Sequence, residues 1–272
     1  MPTPNRRGSA PDPSAGRGWG RPLARMHLPL ALAAALVGVP APSQVADPSP
    51  AADPARRLLA TMKWLRSTHP YGHTGLLMVA GGLVVYLDPV DLVNRDLPPA
   101  DIILVSHDHA DHFSPATIGK LATPATTVVS IPAVAAALRT HTTISLAPGD
   151  RTKVGPVEIE AVPAFNDTHP AAARYLGFVV TVGGVRVYLS GDTALHEALL
   201  SIPRLDIAVL NVRRRYALSG EEGVTFARAV RPRFLVPIHW MPDDDSYGDR
   251  AEVAVIQRDT PVSTEVVVLP LH

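Results

Sequence analysis

The chain is 272 residues long, with 25 Lys and Arg against 25 Asp and Glu, 11 His and no Cys. A formal charge of zero gives no general attraction to nucleic acid or to an acidic membrane surface. The lack of cysteine excludes disulfides, thiol nucleophiles, iron–sulfur clusters and cysteine-held zinc.

Residues 1–56 differ in composition from the rest. Arg6, Arg7, Arg17, Arg21 and Arg25 precede an apolar run from Leu28 to Val39, and Ala41-Pro42-Ser43 offers a cleavage site. This reads as an export signal followed by a disordered linker. The expected location is therefore periplasmic or extracellular; an uncleaved signal would tether the chain to a membrane, and a plain disordered extension would leave it cytoplasmic. The apolar run is short for a membrane span. The folded domain is expected over residues 57–272.

Two short apolar runs, Gly75 to Ala80 and Leu83 to Leu87, flank Gly81-Gly82 and read as a hairpin. Asp101 to Val105 reads as a buried strand, and Ser114-Pro115 as a helix start with Ser as the cap. Thr126 to Ser130 is a predicted strand, Ala133 to Arg139 a helix, and Val157 to Val162 a strand after the Pro148-Gly149 turn. Tyr175 to Val182 and Val185 to Ser190 form a second hairpin about Gly183-Gly184. Thr193 to Leu200 is a predicted helix and Ile207 to Leu210 a strand. Gly220 to Val230 is a helix with a Ser219/Glu222 capping box, followed by a strand over Phe234 to Ile238. A helix over Asp249 to Gln257 and a strand over Glu265 to Leu269 complete the series. Hairpins early and β-α alternation later imply two stacked sheets with helices outside.

The chemistry is concentrated in Ser106-His107-Asp108-His109-Ala110-Asp111-His112, directly after a predicted strand. His107 and His109 are two apart in extended chain, so both can reach one cation. Asp111 and His112 can serve a neighbouring one. His169, Asp192 and His239 each lie in or at a loop after a strand. Together these supply five imidazoles and two carboxylates, enough for two cations with open positions for water and substrate.

In chain order, Gly72-His73-Thr74-Gly75, Leu87-Asp88-Pro89, Ser106 to His112, Ala161 to Asn166, Ser190-Gly191-Asp192-Thr193 and Pro237-Ile238-His239-Trp240 resemble the metallo-β-lactamase superfamily. Within it they are most similar to the UlaG-like metal-dependent hydrolases. The resemblance implies a four-layer αββα sandwich with the metals at one edge. It assigns His107, His109 and His169 to a first ion, Asp111, His112 and His239 to a second, and Asp192 to a bridge. His73 matches a histidine near the site, with a structural hydrogen bond as its other reading, and Asp88 would orient ligand histidines.

The activity so implied is hydrolysis of a phosphoester, lactone or other ester or amide by water activated between two ions, with Asp111 and Asp192 orienting it. Zinc suits the imidazole-rich set, and manganese the two carboxylates. An exported metal-binding or interaction protein without turnover is a second reading. Metal-dependent redox chemistry is a third, made less fitting by His109, where oxygen-reducing di-iron relatives carry Glu.

The substrate clue is Arg213-Arg214-Arg215, after the Ile207 to Leu210 strand, where one or two guanidinium groups can bind a phosphate or carboxylate. A solvated basic loop is the plainer reading. Trp240 would form an apolar pocket wall. The expected partner is therefore a small, anionic molecule, with no nucleic acid. Nothing in the sequence fixes an oligomeric state.

Overall fold

The computed structural model describes residues 53–71 and 73–272. The export signal and most of the linker expected from the sequence lie outside the described residues. No helix among the described residues is long and apolar enough to cross a membrane.

The first helix, α1 (Pro54–Leu59), begins three residues before Arg57. The Asp53 side chain caps it by accepting from the Ala55 amide at 3.0 Å. The same carboxylate pairs with the Arg233 guanidinium, which ties the helix to the start of a strand 180 positions away. Asp53→Ala removes both contacts and should destabilise the protein by about 1–2 kcal/mol, read as a lower midpoint of thermal unfolding. An unchanged midpoint would assign the cap no energetic role.

The first sheet comprises β1 (Lys63–Trp64), β2 (Leu76–Ala80), β3 (Leu83–Leu87), β4 (Ala100–Leu104), β5 (Ala122–Ser130) and β6 (Thr142–Ser145), in that spatial order. Gly81 and Gly82 take φ of 60° and 84° at the β2–β3 turn, conformations that favour glycine. Strands β3, β4, β5 and β6 then run parallel. Helices α2 (Pro115–Leu121) and α3 (Pro132–Ala137) connect them. Ser114 caps α2 through its hydroxyl, with Pro115 at the first position.

The second sheet holds β7 (Arg151–Val154), β8 (Val157–Ala164), β9 (Tyr175–Val182), β10 (Val185–Leu189), β11 (Ile207–Asn211), β12 (Phe234–Ile238) and β13 (Glu265–Val266), with sequence neighbours paired throughout. β7 to β10 are antiparallel, and β10 to β13 parallel. Helices α4 (Glu197–Leu200), α5 (Gly220–Val230) and α6 (Asp249–Asp259) belong to this half. The Ser219/Glu222 capping box of α5 is fully formed.

Period-two alternation builds two cores. Ile207 and Val209 of β11, with Phe234, Val236 and Ile238 of β12, join the large core that includes the first sheet. Ala208, Leu210 and Leu235 point the other way and pack with Leu199, Val224, Phe226 and Ile256 of the helices. The architecture is an α/β sandwich of two mixed sheets flanked by helices, as the sequence implies.

Several elements differ from expectation: β5 begins at Ala122 rather than Thr126. The helix expected over Thr193 to Leu200 is one turn, Glu197–Leu200. The Ala194 amide donates to Phe165 O at 2.9 Å, the Thr193 hydroxyl to the same oxygen at 3.2 Å, and His196 stacks on Phe165, so this stretch is bound to the β8–β9 loop. The final strand stops at Val266. Strands β1, β6 and β7, absent from the sequence reading, are two to four residues long.

Candidate metal centre

The site lies where the carboxyl ends of parallel strands from both sheets meet, the usual place for ligand side chains in parallel sheets. Leu87 of β3 is in register with Leu104 of β4. Asp88 therefore leaves β3 beside the chain that leaves β4 into Val105, Ser106 and His107. In the second sheet, Leu189 is in register with Val209, and Asn211 with Ile238. Asp192, Asn211 and His239 thus emerge at one edge.

Asp88 is fully buried at φ 40° and holds three groups. Its Oδ1 accepts from the Ser106 amide at 2.7 Å. Its Oδ2 accepts from the Ser106 hydroxyl at 2.7 Å and from His112 Nδ1 at 2.8 Å. With its proton given to Asp88, the Ser106 oxygen accepts from His107 Nδ1 at 2.9 Å. One carboxylate thereby fixes two imidazoles with the proton on Nδ1 and the lone pair on Nε2.

The same device recurs in the second half. His169 Nδ1 donates to Asn166 Oδ1 at 2.9 Å, which leaves His169 Nε2 turned towards His109 Nδ1 at 3.1 Å. Asn211 Nδ2 donates to Asp192 Oδ1 at 2.8 Å. The other oxygen, Asp192 Oδ2, lies 3.3 Å from His112 Nε2, 3.5 Å from His239 Nε2 and 4.0 Å from His169 Nε2.

Three donor groups result, each with its ligand atoms within 4.8 Å of one another: His107, His109 and His169; His107, His112 and Asp192; and Asp111, His112 and His239. His107 Nε2, His112 Nε2 and both ring nitrogens of His239 are buried with no hydrogen-bond partner among the described residues. Unmatched buried polar atoms cost roughly 1–3 kcal/mol each. Convergent imidazole lone pairs beside carboxylates are what a divalent cation needs, so these residues fit a pair of such ions.

The electrostatics agree. Burial pushes the His107 and His169 pKa values down, keeping both rings neutral and able to donate a lone pair. Burial also works against a charged His112, but Asp192 and Asp88 outweigh it and raise its pKa well above the ordinary histidine value. Burial likewise opposes a charged Asp192. His112 and His239 overcome that and hold it well below the usual carboxylate range. A cation competes with the His112 proton for the same negative surroundings.

Asp88→Asn keeps a residue tolerant of φ 40° but removes the charge that orients His107 and His112. Metal affinity should fall about 10–100-fold, measured by competition with a chromophoric chelator. Wild-type affinity in this variant would show that Asp88 serves only the fold.

A pocket of about 230 Å³ opens onto these groups, with His109, Asp111, His169, Asp192 and His239 in its wall. The remaining candidates separate. His73 is buried outside this wall, its Nδ1 accepting from the Ser67 amide at 3.2 Å. Arg213 lines the pocket. Arg214 does not: its side chain is 76% exposed and faces Glu252 Oε1 at 3.5 Å. Arg215, at φ 81°, is exposed and also outside the wall. Trp240 is no pocket wall either, because its ring stacks on Trp64 at 5.4 Å and packs into the core.

Sequence reasoning missed Asn211 as a supporting residue. Its signal is position: a polar residue ending a fully buried parallel strand, beside the strand that leads to Asp192. Tyr71, Tyr216 and Tyr247, which also line the pocket, come from loops and carry no such signal.

Comparison with known proteins agrees with this geometry. The model of the Beta-lactamase superfamily domain matches residues 69–239, which enclose every candidate ligand. A UPF0173 metal-dependent hydrolase of Symbiobacterium thermophilum is 26% identical over 212 residues, covering 73% of this chain and 95% of the relative. The crystal structure of a proposed metal-dependent hydrolase from Parabacteroides distasonis is 28% identical, with a TM-score of 0.63 over 74% of this chain and 91% of that one. The diiron β-hydroxylase CmlA of Streptomyces venezuelae shares the fold, with a TM-score of 0.62 at 14% identity over 74% of this chain and 52% of its own.

Proposed function

The chain belongs to the beta-lactamase superfamily, and from that premise we propose a binuclear metal-dependent hydrolase acting on a small ester, lactone, amide or phosphoester. The observation that carries the reading is Asp192 Oδ2, which faces imidazoles of both outer donor groups, His169 on one side and His112 and His239 on the other. In this reading His107, His109 and His169 hold one ion, Asp111, His112 and His239 the second, and Asp192 lies between them. Zinc is the proposed metal, with manganese the alternative. Motif likeness supports a UlaG-like placement within the superfamily.

When bound, two divalent ions supply Lewis acidity and a water of lowered pKa. The chain's own contribution is orientation and charge. Asp88, Ser106, Asn166 and Asn211 lock the ligand side chains, so little reorganisation accompanies the reaction. Asp111 is half-buried at the pocket wall, where its carboxylate can orient an incoming water. The fold alone does not choose hydrolysis, since CmlA is a hydroxylase. His109, a third imidazole among the first ion's ligands, favours the hydrolytic reading. Export by residues 1–56 is part of the proposal and rests on their composition.

The test is elemental analysis of the purified full chain together with a panel of esters, lactones and phosphodiesters. About two transition-metal ions per chain and metal-dependent turnover are expected. Bound metal without turnover would favour the binding-protein reading, and iron with oxygen-dependent turnover the redox one. A chain with neither metal nor hydrolysis would sink the proposal.

A further inference from the structure

Arg213 is the one residue of the Arg213–Arg215 run that enters the pocket, and its surroundings are unusual for a cation. It is only 2% exposed. Its backbone is pinned on both sides: the Arg213 amide donates to Leu218 O at 3.1 Å, and Arg213 O accepts from the Tyr216 and Ala217 amides at 3.0 and 2.8 Å. This tight turn after β11 sends Arg213 inward while Arg214 faces Glu252 at the surface.

The guanidinium Nη1 donates to Tyr71 O. Nε and Nη2 are buried with no hydrogen-bond partner among the described residues, and Arg213 makes no salt bridge there. Asp249 and Asp244 act on it only through space. Its Cζ lies 4.4 Å from the Tyr247 ring centre, 5.9 Å from that of Tyr216 and 6.0 Å from that of Tyr71. Cation–π contacts with these rings offset only part of the cost of desolvating the ion. An arginine, unlike a lysine, cannot lose its proton to escape that cost.

Nε and Nη2 form one edge of the guanidinium. Their two parallel N–H bonds match the two oxygens of a carboxylate or phosphate. That free edge belongs to a residue lining the same pocket as His109, Asp111, His169, Asp192 and His239. A pocket of about 230 Å³ suits a small molecule.

We propose that Arg213 anchors a terminal oxoanion, carboxylate or phosphate, of a small substrate whose scissile bond lies over the metal-ligand cluster. The position of that bond rests on the hydrolase reading; the anion anchor does not. Tyr71, Tyr216 and Tyr247 shield the pair from water and so strengthen it.

Two measurements on the metal-loaded full chain test this. In the first, matched 4-nitrophenyl esters are compared whose acyl chains end in methyl, carboxylate or phosphate. The expected result is a kcat/KM ratio of charged to neutral ester of about 10-fold or more, carried by KM. Arg213→Gln should bring the ratio near one at equal metal content, and Arg213→Lys should retain part of it. The charged ester that gains identifies the anion. A ratio that Arg213→Gln leaves intact, or one near unity in the wild type, overturns the anchor.

In the second, glutarate and methyl phosphate are titrated calorimetrically. Binding by the wild type that Arg213→Gln loses supports the anchor even where no ester is hydrolysed, an outcome that removes only the hydrolase reading. Equal binding by both chains, or none by the wild type, overturns the anchor. Should Arg213→Gln not fold, Arg213→Lys replaces it in both measurements, because a point charge in place of the fork should weaken selectivity.

Discussion

Asp192→Asn is expected to lower kcat/KM on the order of 10³-fold or more, about 4 kcal/mol of transition-state stabilisation. The substitution is nearly isosteric and can still accept from Asn211 through Oδ1, so the local backbone has little reason to move. What changes is the atom facing His112, His239 and His169, a carboxylate oxygen in the wild type. An amide nitrogen there presents hydrogens to ligand imidazoles and removes the buried negative charge that holds them. Both proposed ion positions should lose affinity together. Asp111→Asn should weaken mainly one, because Asp111 groups only with His112 and His239, whereas Asp192 Oδ2 approaches His169 as well as those two. Metal stoichiometry and steady-state kinetics on both variants read this out. Asp192→Asn with two bound ions and wild-type turnover would refute the bridging role.

Exhaustive chelation should abolish turnover and lower the unfolding midpoint substantially. A ligand held at a thousand times its dissociation constant stabilises by roughly 4 kcal/mol. For a domain of this size that corresponds to about 8–16 °C per site. The physical source is on the site's inner surface: without cations, His107 Nε2, His112 Nε2 and both nitrogens of His239 lack partners among the described residues. Calorimetry of chelated and reloaded protein measures the shift. Zinc should restore the midpoint at lower concentration than manganese, as expected for imidazole-rich sites. A midpoint indifferent to chelation would contradict the metal reading.

Legibility in the sequence followed local constraint. Gly81-Gly82 and Gly183-Gly184 marked hairpins because the turns require positive φ. Ser219 and Glu222 marked the start of α5 because a capping box is a local device. The dense run from His107 to His112 announced its chemistry because so many donors in one loop have few other uses. Asp88 emerged as a supporter of ligand histidines, and the structure gives it hydrogen bonds to Ser106 and His112.

What stayed hidden depends on partners distant in the chain. The Thr193–Leu200 stretch has helical composition but is captured by Phe165. The three consecutive arginines look alike in one dimension. Only the turn closed by Tyr216 and Ala217 onto Arg213 O separates the inward one from the exposed pair. Trp240 reads as a pocket wall until Trp64, from the other end of the domain, is found stacked against it.

The strand order also sets a sequence in time. Every strand of the first sheet precedes every strand of the second along the chain. His107 to His112 come from the first half, and His169, Asp192 and His239 from the second. Each sheet can pair its own strands through contacts close in sequence, which form fast, whereas docking one on the other joins distant segments and is slow. Neither half alone carries a complete donor set. A cation that needs donors from both halves should then be captured late in folding, and the rate of metal uptake during refolding is expected to report when the two halves close.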